Sequence, residues 1–299
     1  MSIAFQYWYL MQGGEGLPAG AIAYKNRVES DGGTTTSLGC VPSQVWEWAE
    51  SYNAQTQAMI DKAIAEGFAL PSAANLRLIN DAIDGLIAAG AWNTKADVIR
   101  FWGNDSGSAN FGRINAVNPS SDLAVLVNAV GFVNKKGVEG DGVSARVNTK
   151  YNPTVDAVNY ALDSASIMLY QYKVATVGVG LYGDDVSRLR ISSLNSVVQR
   201  INVGVNLSSA VNFAQVGTLG VHRKDSVNVD VQTNATISAR TYAGSAVLPN
   251  YDLTIFAVVG ATAFSNAGVS LEWVGSDASS VGVAIHNILD TYYTQLQLL

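Results

Sequence analysis

Few residues in this sequence have the type and spacing to do chemistry. Glycoside hydrolysis needs two carboxyl groups facing one bond, and Glu-x-Asp-x-x-Glu along one strand is one way to present them. Glu139-Gly140-Asp141 supplies the first half, but Ser144 stands where the second glutamate is required. Gly140 and Gly142 interrupt the segment and predict a turn. Only two histidines occur, His222 and His286. Neither has a second His or Cys at ligand spacing, which argues against a zinc site or a cysteine–histidine dyad. His222, beside Arg223 and Lys224, is expected at an exposed strand position, and His286, in the last helix between apolar neighbours, as a satisfied surface or boundary residue. Gly178, Gly180 and Gly183 match G-x-G-x-x-G, but Asp184, Asp185 and another strand-like run follow where a phosphate-binding helix should open. Asn104, Asp105, Asp184 and Asp185 offer loop oxygens of the kind that bind Ca²⁺, although Asx turns explain the same residues more economically. No catalytic, cofactor or metal residue is assigned, and the chain is not expected to be an enzyme.

Composition narrows the partners. The 299 residues are 48% hydrophobic and only 14% charged. Much of the surface is therefore uncharged, which suits a protein held among neighbours in an assembly. A net charge of -6 without a basic run argues against nucleic acid. The longest apolar stretches, such as Leu253 to Ala263, fall short of the roughly 20 residues that span a bilayer. The start of the chain lacks the features of a secretory signal, so synthesis in a cytoplasm is expected and the sequons at Asn104, Asn206 and Asn234 read as chance matches. Cys40 is the only cysteine, so no intrachain disulfide can form, and it reads as a small buried apolar residue.

The elements that would position these residues follow from pattern. Residues 1–42 open with Phe5, Tyr7, Trp8 and Tyr9, continue through Gly13, Gly14 and Gly16, and predict an extended arm whose aromatics bury against another surface. Residues 43–92 predict a helical segment. One helix runs from Ser43 to Gly67. A clearer one has Ser72 as N-cap and Leu76, Ile79, Ile83, Leu86 and Ile87 as an apolar stripe up to Gly90, leaving Asp81 and Asp84 in solvent. Residues 93–299 predict a lectin-like sandwich with a C-terminal helix over Ala278 to Leu296. Expected strands are Val98–Trp102, Ser166–Tyr172, Val174–Tyr182, Arg188–Ser192, Val197–Val205, Gln215–Arg223, Val227–Gln232 and Leu253–Val259. Val227, Val229 and Val231 alternate strictly with polar residues, which predicts one face on the core and one in water. Short strands at this spacing imply a mainly β, antiparallel sandwich of jelly-roll, concanavalin-like type.

Three passages in this order resemble predicted structural proteins of tailed bacteriophages and prophages. Arg27-Val28-Glu29-Ser30-Asp31-Gly32-Gly33-Thr34 is similar to an R-V-x-x-D-G-G-T opening. Ile83-Asp84-Gly85-Leu86-Ile87-Ala88-Ala89-Gly90-Ala91-Trp92, followed by Lys95-Ala96-Asp97, matches an Ile-Asp-x-Leu-x-x-x-Gly-x-Trp stretch. Gly140 to Pro153, ending in Asn148-Thr149-Lys150-Tyr151-Asn152-Pro153, resembles the passage into a concanavalin- or laminin-G-like sandwich. Gly268-Val269-Ser270-Leu271 and the following helix fit the ending. The resemblance implies a virion protein of the tail, a fibre or a capsid decoration, with other virion proteins and further copies of itself as partners, and it carries over no functional residues. A carbohydrate-binding module for host attachment is the alternative, with Trp102, Trp273 or Tyr182 as candidate stacking rings, and a polysaccharide depolymerase is the third reading.

Overall fold

The computed structural model describes residues 52–177, 182–183, 190–191, 200–202, 213–242, 244–245, 247–257 and 264–299. The expected arm with its aromatics, Cys40, residues 43–51 of the expected first helix, Gly178, Gly180, Asp184, Asp185 and Asn206 lie outside them; Tyr52 and Asn53 are not helical, so the described helix starts at Ala54. Residues 54–299 form one compact unit.

Two helices come first. In α1 (Ala54–Ala65) the buried residues are Thr56, Met59, Ile60 and Ala63, the single row that a 3.6-residue period places on one face. In α2 (Ala73–Ala88), Ser72 caps the first turn by accepting the Asn75 N–H at 3.2 Å, and Leu76, Ile79, Ile83 and Leu86 are buried. Asp81 and Asp84 face solvent, as the stripe implied. Both helices stop by the same device. Phe68 N–H returns to Ala63 O and Ala91 N–H to Leu86 O, while Gly67 and Gly90 bond back to Ile64 O and Ile87 O. Those glycines have φ of +68° and +69°, a conformation that a Cβ makes costly.

The described strands form two antiparallel sheets. The larger is built from β1 (Ala96–Phe101), β3 (Gly131–Val133), β4 (Gly137–Glu139), β6 (Ala165–Lys173), β9 (Gly217–Arg223), β10 (Asn228–Thr233), β11 (Thr236–Thr241) and β13 (Gly268–Gly275). Their order is β11-β10-β9-β6-β13-β4-β3. β1 and β4 share the other edge of β13, β4 against Gly268 and Val269 and β1 against Leu271 to Gly275. The smaller sheet runs β2 (Val125–Val127), β5 (Arg146–Asn148), β12 (Thr254–Ile255), β7 (Tyr182–Gly183) and β8 (Arg190–Ile191). Ile167, Leu169, Leu219, Val221, Val229, Val231 and Val269 from the first sheet and Val147, Tyr182, Ile191 and Ile255 from the second belong to one buried cluster. The expected β-sandwich is therefore what the chain forms.

Several strands differ from expectation. Residues 174–177 are not strand, because the Thr176 and Val177 N–H groups donate to Asn266 Oδ1 at 2.8 and 3.1 Å instead of to a ladder. Among the described residues of the run from Leu253, only Thr254–Ile255 are strand, since Phe256 turns at φ +68°. β2 to β5 are three residues each, too short for an alternation to show. Of the expected strands around Arg188 and Val197, only residues 190–191 and 200–202 are described.

The outer face of the larger sheet is also not solvated over β6 and β9. The last helix, α3 (Gly282–Leu298), buries Ile285, Leu289, Tyr292 and Leu296 and lies over it: Tyr170 donates to Asp290 Oδ1 at 2.8 Å and stacks near Tyr293. Asp230 and Gln232, expected in water, are buried, and so is His222, expected to be exposed. Asp230 pairs with Lys224 Nζ at 3.2 Å, and a hydrogen-bonded row satisfies His222 and Gln232. Ala278 N–H donates to Ser166 Oγ at 2.8 Å, Ser166 lies 2.8 Å from His222 Nδ1, His222 Nε2 lies 2.9 Å from Gln232 Oε1, and Gln232 Nε2 donates to Gly282 O at 2.7 Å. The Gln232 amide nitrogen is committed to carbonyls, so Oε1 must accept from His222 Nε2–H, leaving Nδ1 to accept from Ser166. That tautomer is neutral, and burial lowers the His222 pKa below its usual value. Among the described residues, no helix is long and apolar enough to cross a membrane.

The neutral histidine makes stability depend on pH. The unfolded chain takes up this proton near pH 6.5 while the folded chain resists it, so the contribution is complete above about pH 6.5 and is lost as pH falls through the depressed folded-state value. Burial lowers the pKa of the half-buried His286 in the same direction. Denaturant unfolding should show stability declining from pH 7 to pH 5 by up to about 1.4 kcal/mol per pH unit for the buried group. His222→Gln should flatten that slope whatever its own cost at pH 7, and an unchanged slope would remove His222 as its source.

Candidate functional site

The residues singled out for chemistry are mostly engaged in structure. Glu139 ends β4, where Tyr172 donates to Oε1 at 3.0 Å and Lys173 to Oε2 at 2.8 Å. Asp141 forms the expected turn and accepts the N–H groups of Val143, Ser144 and Ala145 at 2.7–2.8 Å. Those donors, Ser144 first, hold its carboxyl well below the usual carboxylate range. Asp105 accepts from Ser72 N–H and Oγ–H, and Asn104 donates to Phe101 O and Trp102 O. Among the described residues, no three His, Cys, Asp or Glu side chains are grouped as a metal would need. His286 lies at the boundary, 3.0 Å from Thr218 Oγ1. Trp102, Trp273 and Tyr182 are core residues, each 1% exposed or less, and cannot stack on a ligand.

The most charged contact lies between the sheets. Register pairs Arg100 of β1 with Glu272 of β13, and both side chains point inward at 1% and 0% exposure, 2.9 Å apart. Arg100 also donates to Thr149 O at 2.6 Å and Arg113 O at 3.3 Å. Tyr182, from the opposite sheet, donates to Glu272 Oε1 at 2.7 Å. Burial first, then the Glu272 charge, pushes the Tyr182 hydroxyl well above its ordinary pKa. No signal in the sequence marked this cluster, because Arg100 and Glu272 are 172 positions apart.

A second polar joint connects two of the passages noted in the sequence. Asp97 accepts from Tyr151 Oη–H and Tyr160 N–H on Oδ2 and from Asn159 N–H on Oδ1, each at 2.8 Å. Burial, with Asp97 alongside, raises the Tyr151 pKa. Lys95-Ala96-Asp97 and Asn148-Thr149-Lys150-Tyr151 thus interlock, and Gly140 is needed because a Cβ there would stand 1.9 Å from Ser265 O.

The accessible face of the same segment is different. β5 and β12 pair, and their ladder continues through Thr149 N–H to Leu253 O and Leu253 N–H to Tyr151 O. Val147, Thr149 and Tyr151 are buried, so period two turns Asn148, Lys150 and Asn152 outward. They meet Asn250, Tyr251 and Asp252, which lead into β12. Asn148, Asn152, Asn250, Tyr251 and Asp252 line an open cleft of about 310 Å³. Asn148 Oδ1 accepts Lys150 N–H at 2.8 Å and Asn152 Oδ1 accepts Thr154 N–H at 2.9 Å, which fixes both amides. Lys150 Nζ stands 3.6 Å from Asp252 Oδ2, and the Tyr251 side chain is exposed.

No protein-family model matches the chain, and no curated protein matches it. Solved structures do. Domain 4 of a GH43 extracellular arabinanase from Geobacillus stearothermophilus, in complex with arabinotriose, is 12% identical at a TM-score of 0.38, covering 64% of this chain and 98% of that one. The Trypanosoma rangeli sialidase is 11% identical at a TM-score of 0.43, covering 73% of this chain and 39% of that one. The receptor-binding domain of botulinum neurotoxin C/D mosaic serotype is 9% identical at 0.39, covering 68% and 52%. Such likeness is one of fold. The expectation that the chain is not an enzyme is corrected accordingly: structures of similar fold include an arabinanase domain and a sialidase, so this fold does not exclude one.

The buried pair yields a signed prediction. Removing one partner leaves an uncompensated charge in the core, so Glu272→Leu should lower unfolding free energy by about 3–5 kcal/mol. The double variant Arg100→Met, Glu272→Leu should lose less than Glu272→Leu alone, because no cation is stranded. Additive losses in a denaturant-based double-mutant cycle would show that the two charges act independently.

Proposed function

We propose that this protein is a structural component of a tailed-phage particle that docks on other virion proteins and on further copies of itself. One observation carries the reading. The passages resembling phage structural proteins, residues 83–97 and 140–153, occur in the family's order, and Tyr151 of the second donates to Asp97 of the first, beside the bond from Arg100 of the strand that follows to Thr149 O. Passages that touch in the fold support one shared architecture over scattered short matches. The low charge content supports the reading, because covered faces need fewer charges for solubility. The aromatic opening of the sequence supports it as well, since Phe5, Tyr7, Trp8 and Tyr9 gain from a partner surface already shaped for rings.

Antibodies raised against the purified chain should decorate gradient-purified particles under the electron microscope, at repeated positions set by particle symmetry. Particles without label, with the chain recovered only as free protein in the lysate, would exclude a virion role.

A further inference from the structure

We propose that the outward cleft beside β5 and β12 is a binding site for a neutral saccharide, with Tyr251 as its stacking ring and Asn148, Asn152, Asn250 and Asp252 as its polar contacts. This gives the proposed particle component a ligand class, although binding can be measured without the particle.

The chemistry of the cleft selects the ligand. Its volume, about 310 Å³, sits at the small end of the roughly 300–1,000 Å³ of small-molecule sites, which suits one or two sugar units. Asn148 and Asn152 spend their side-chain oxygens on the backbone, so each offers amide N–H groups. Asn152 Nδ2 reaches Asn250 Oδ1 at 3.4 Å, which aligns the Asn250 amide while its own N–H groups stay available. Asp252 adds an acceptor. Donors and acceptors that alternate within one small cleft match vicinal hydroxyls, each of which both gives and takes a hydrogen bond. Lys150 and Asp252, 3.6 Å apart, cancel in charge, so the cleft favours a neutral sugar over a uronic or sialic acid. Tyr251, 45% exposed, offers an apolar ring face for sugar C–H groups with a hydroxyl at its edge. The ladder behind the cleft is tied into the core through Thr149, Tyr151 and Leu253, so the polar groups sit on a rigid element and little ordering is required on binding.

The test uses the whole chain on an array of immobilised neutral and acidic bacterial oligosaccharides, with calorimetry on soluble forms of whichever bind. Retention of neutral oligosaccharides is expected, and Tyr251→Ala and Asn250→Ala should each bind about tenfold more weakly while unfolding at the same temperature as the parent. Tyr251→Phe should retain most of the affinity, because the ring face is kept. Retention of acidic sugars alone, no retention of any sugar, or full affinity in Tyr251→Ala would each overturn the proposal. Unlabelled particles in the electron microscope would remove the virion reading and leave this one standing, so the two fail separately.

Discussion

The sandwich is organised around a charge that cannot be left alone. A guanidinium moved out of water costs several kcal/mol, and its attraction to a carboxylate recovers this only when every remaining donor and acceptor is also satisfied. Arg100 meets that condition by reaching Glu272, Thr149 O and Arg113 O, and Glu272 by adding Tyr182. These contacts span β1, β13, the passage after β5, and β7, so one cluster ties both sheets. It also sets register. Sliding β13 by one residue would turn Glu272 to the outer face and leave Arg100 facing apolar side chains.

Polar groups on the outer face obey the same requirement in neutral form. α3 and the residues before it cover Ser166, His222 and Gln232, and a row of hydrogen bonds running from Ala278 to Gly282 serves each of them. With both faces of β6 and β9 covered, their polar side chains are largely committed to structure. The outward face beside β5 and β12 is where amides, a charge pair and a ring stay accessible together, which is why the ligand site is placed there.

Much of this was legible from local pattern. Ser72, Gly67 and Gly90 marked helix ends because capping is decided within a few residues. The alternation of Val229 and Val231 marked the core face of β10 for the same reason. What failed depended on distant neighbours. His222 looked exposed because its strand carries charged residues, while the helix that buries it lies about 60 residues later. Trp102, Trp273 and Tyr182 read as stacking rings, but burial is settled by which sheet faces which, and local sequence does not encode that. The cleft was written in Asn148, Lys150 and Asn152, which alternate with buried Val147, Thr149 and Tyr151. Its other half is contributed from about 100 positions away.

If the Arg100–Glu272–Tyr182 cluster joins the sheets, removing the hydroxyl that Tyr182 gives to Glu272 should loosen the smaller sheet first. Hydrogen exchange of backbone amides in the Tyr182→Phe chain measures this directly. The account predicts that amides of β5 and β12 lose protection while those of β6 and β9 keep theirs. Unchanged protection in β5 and β12 would contradict it.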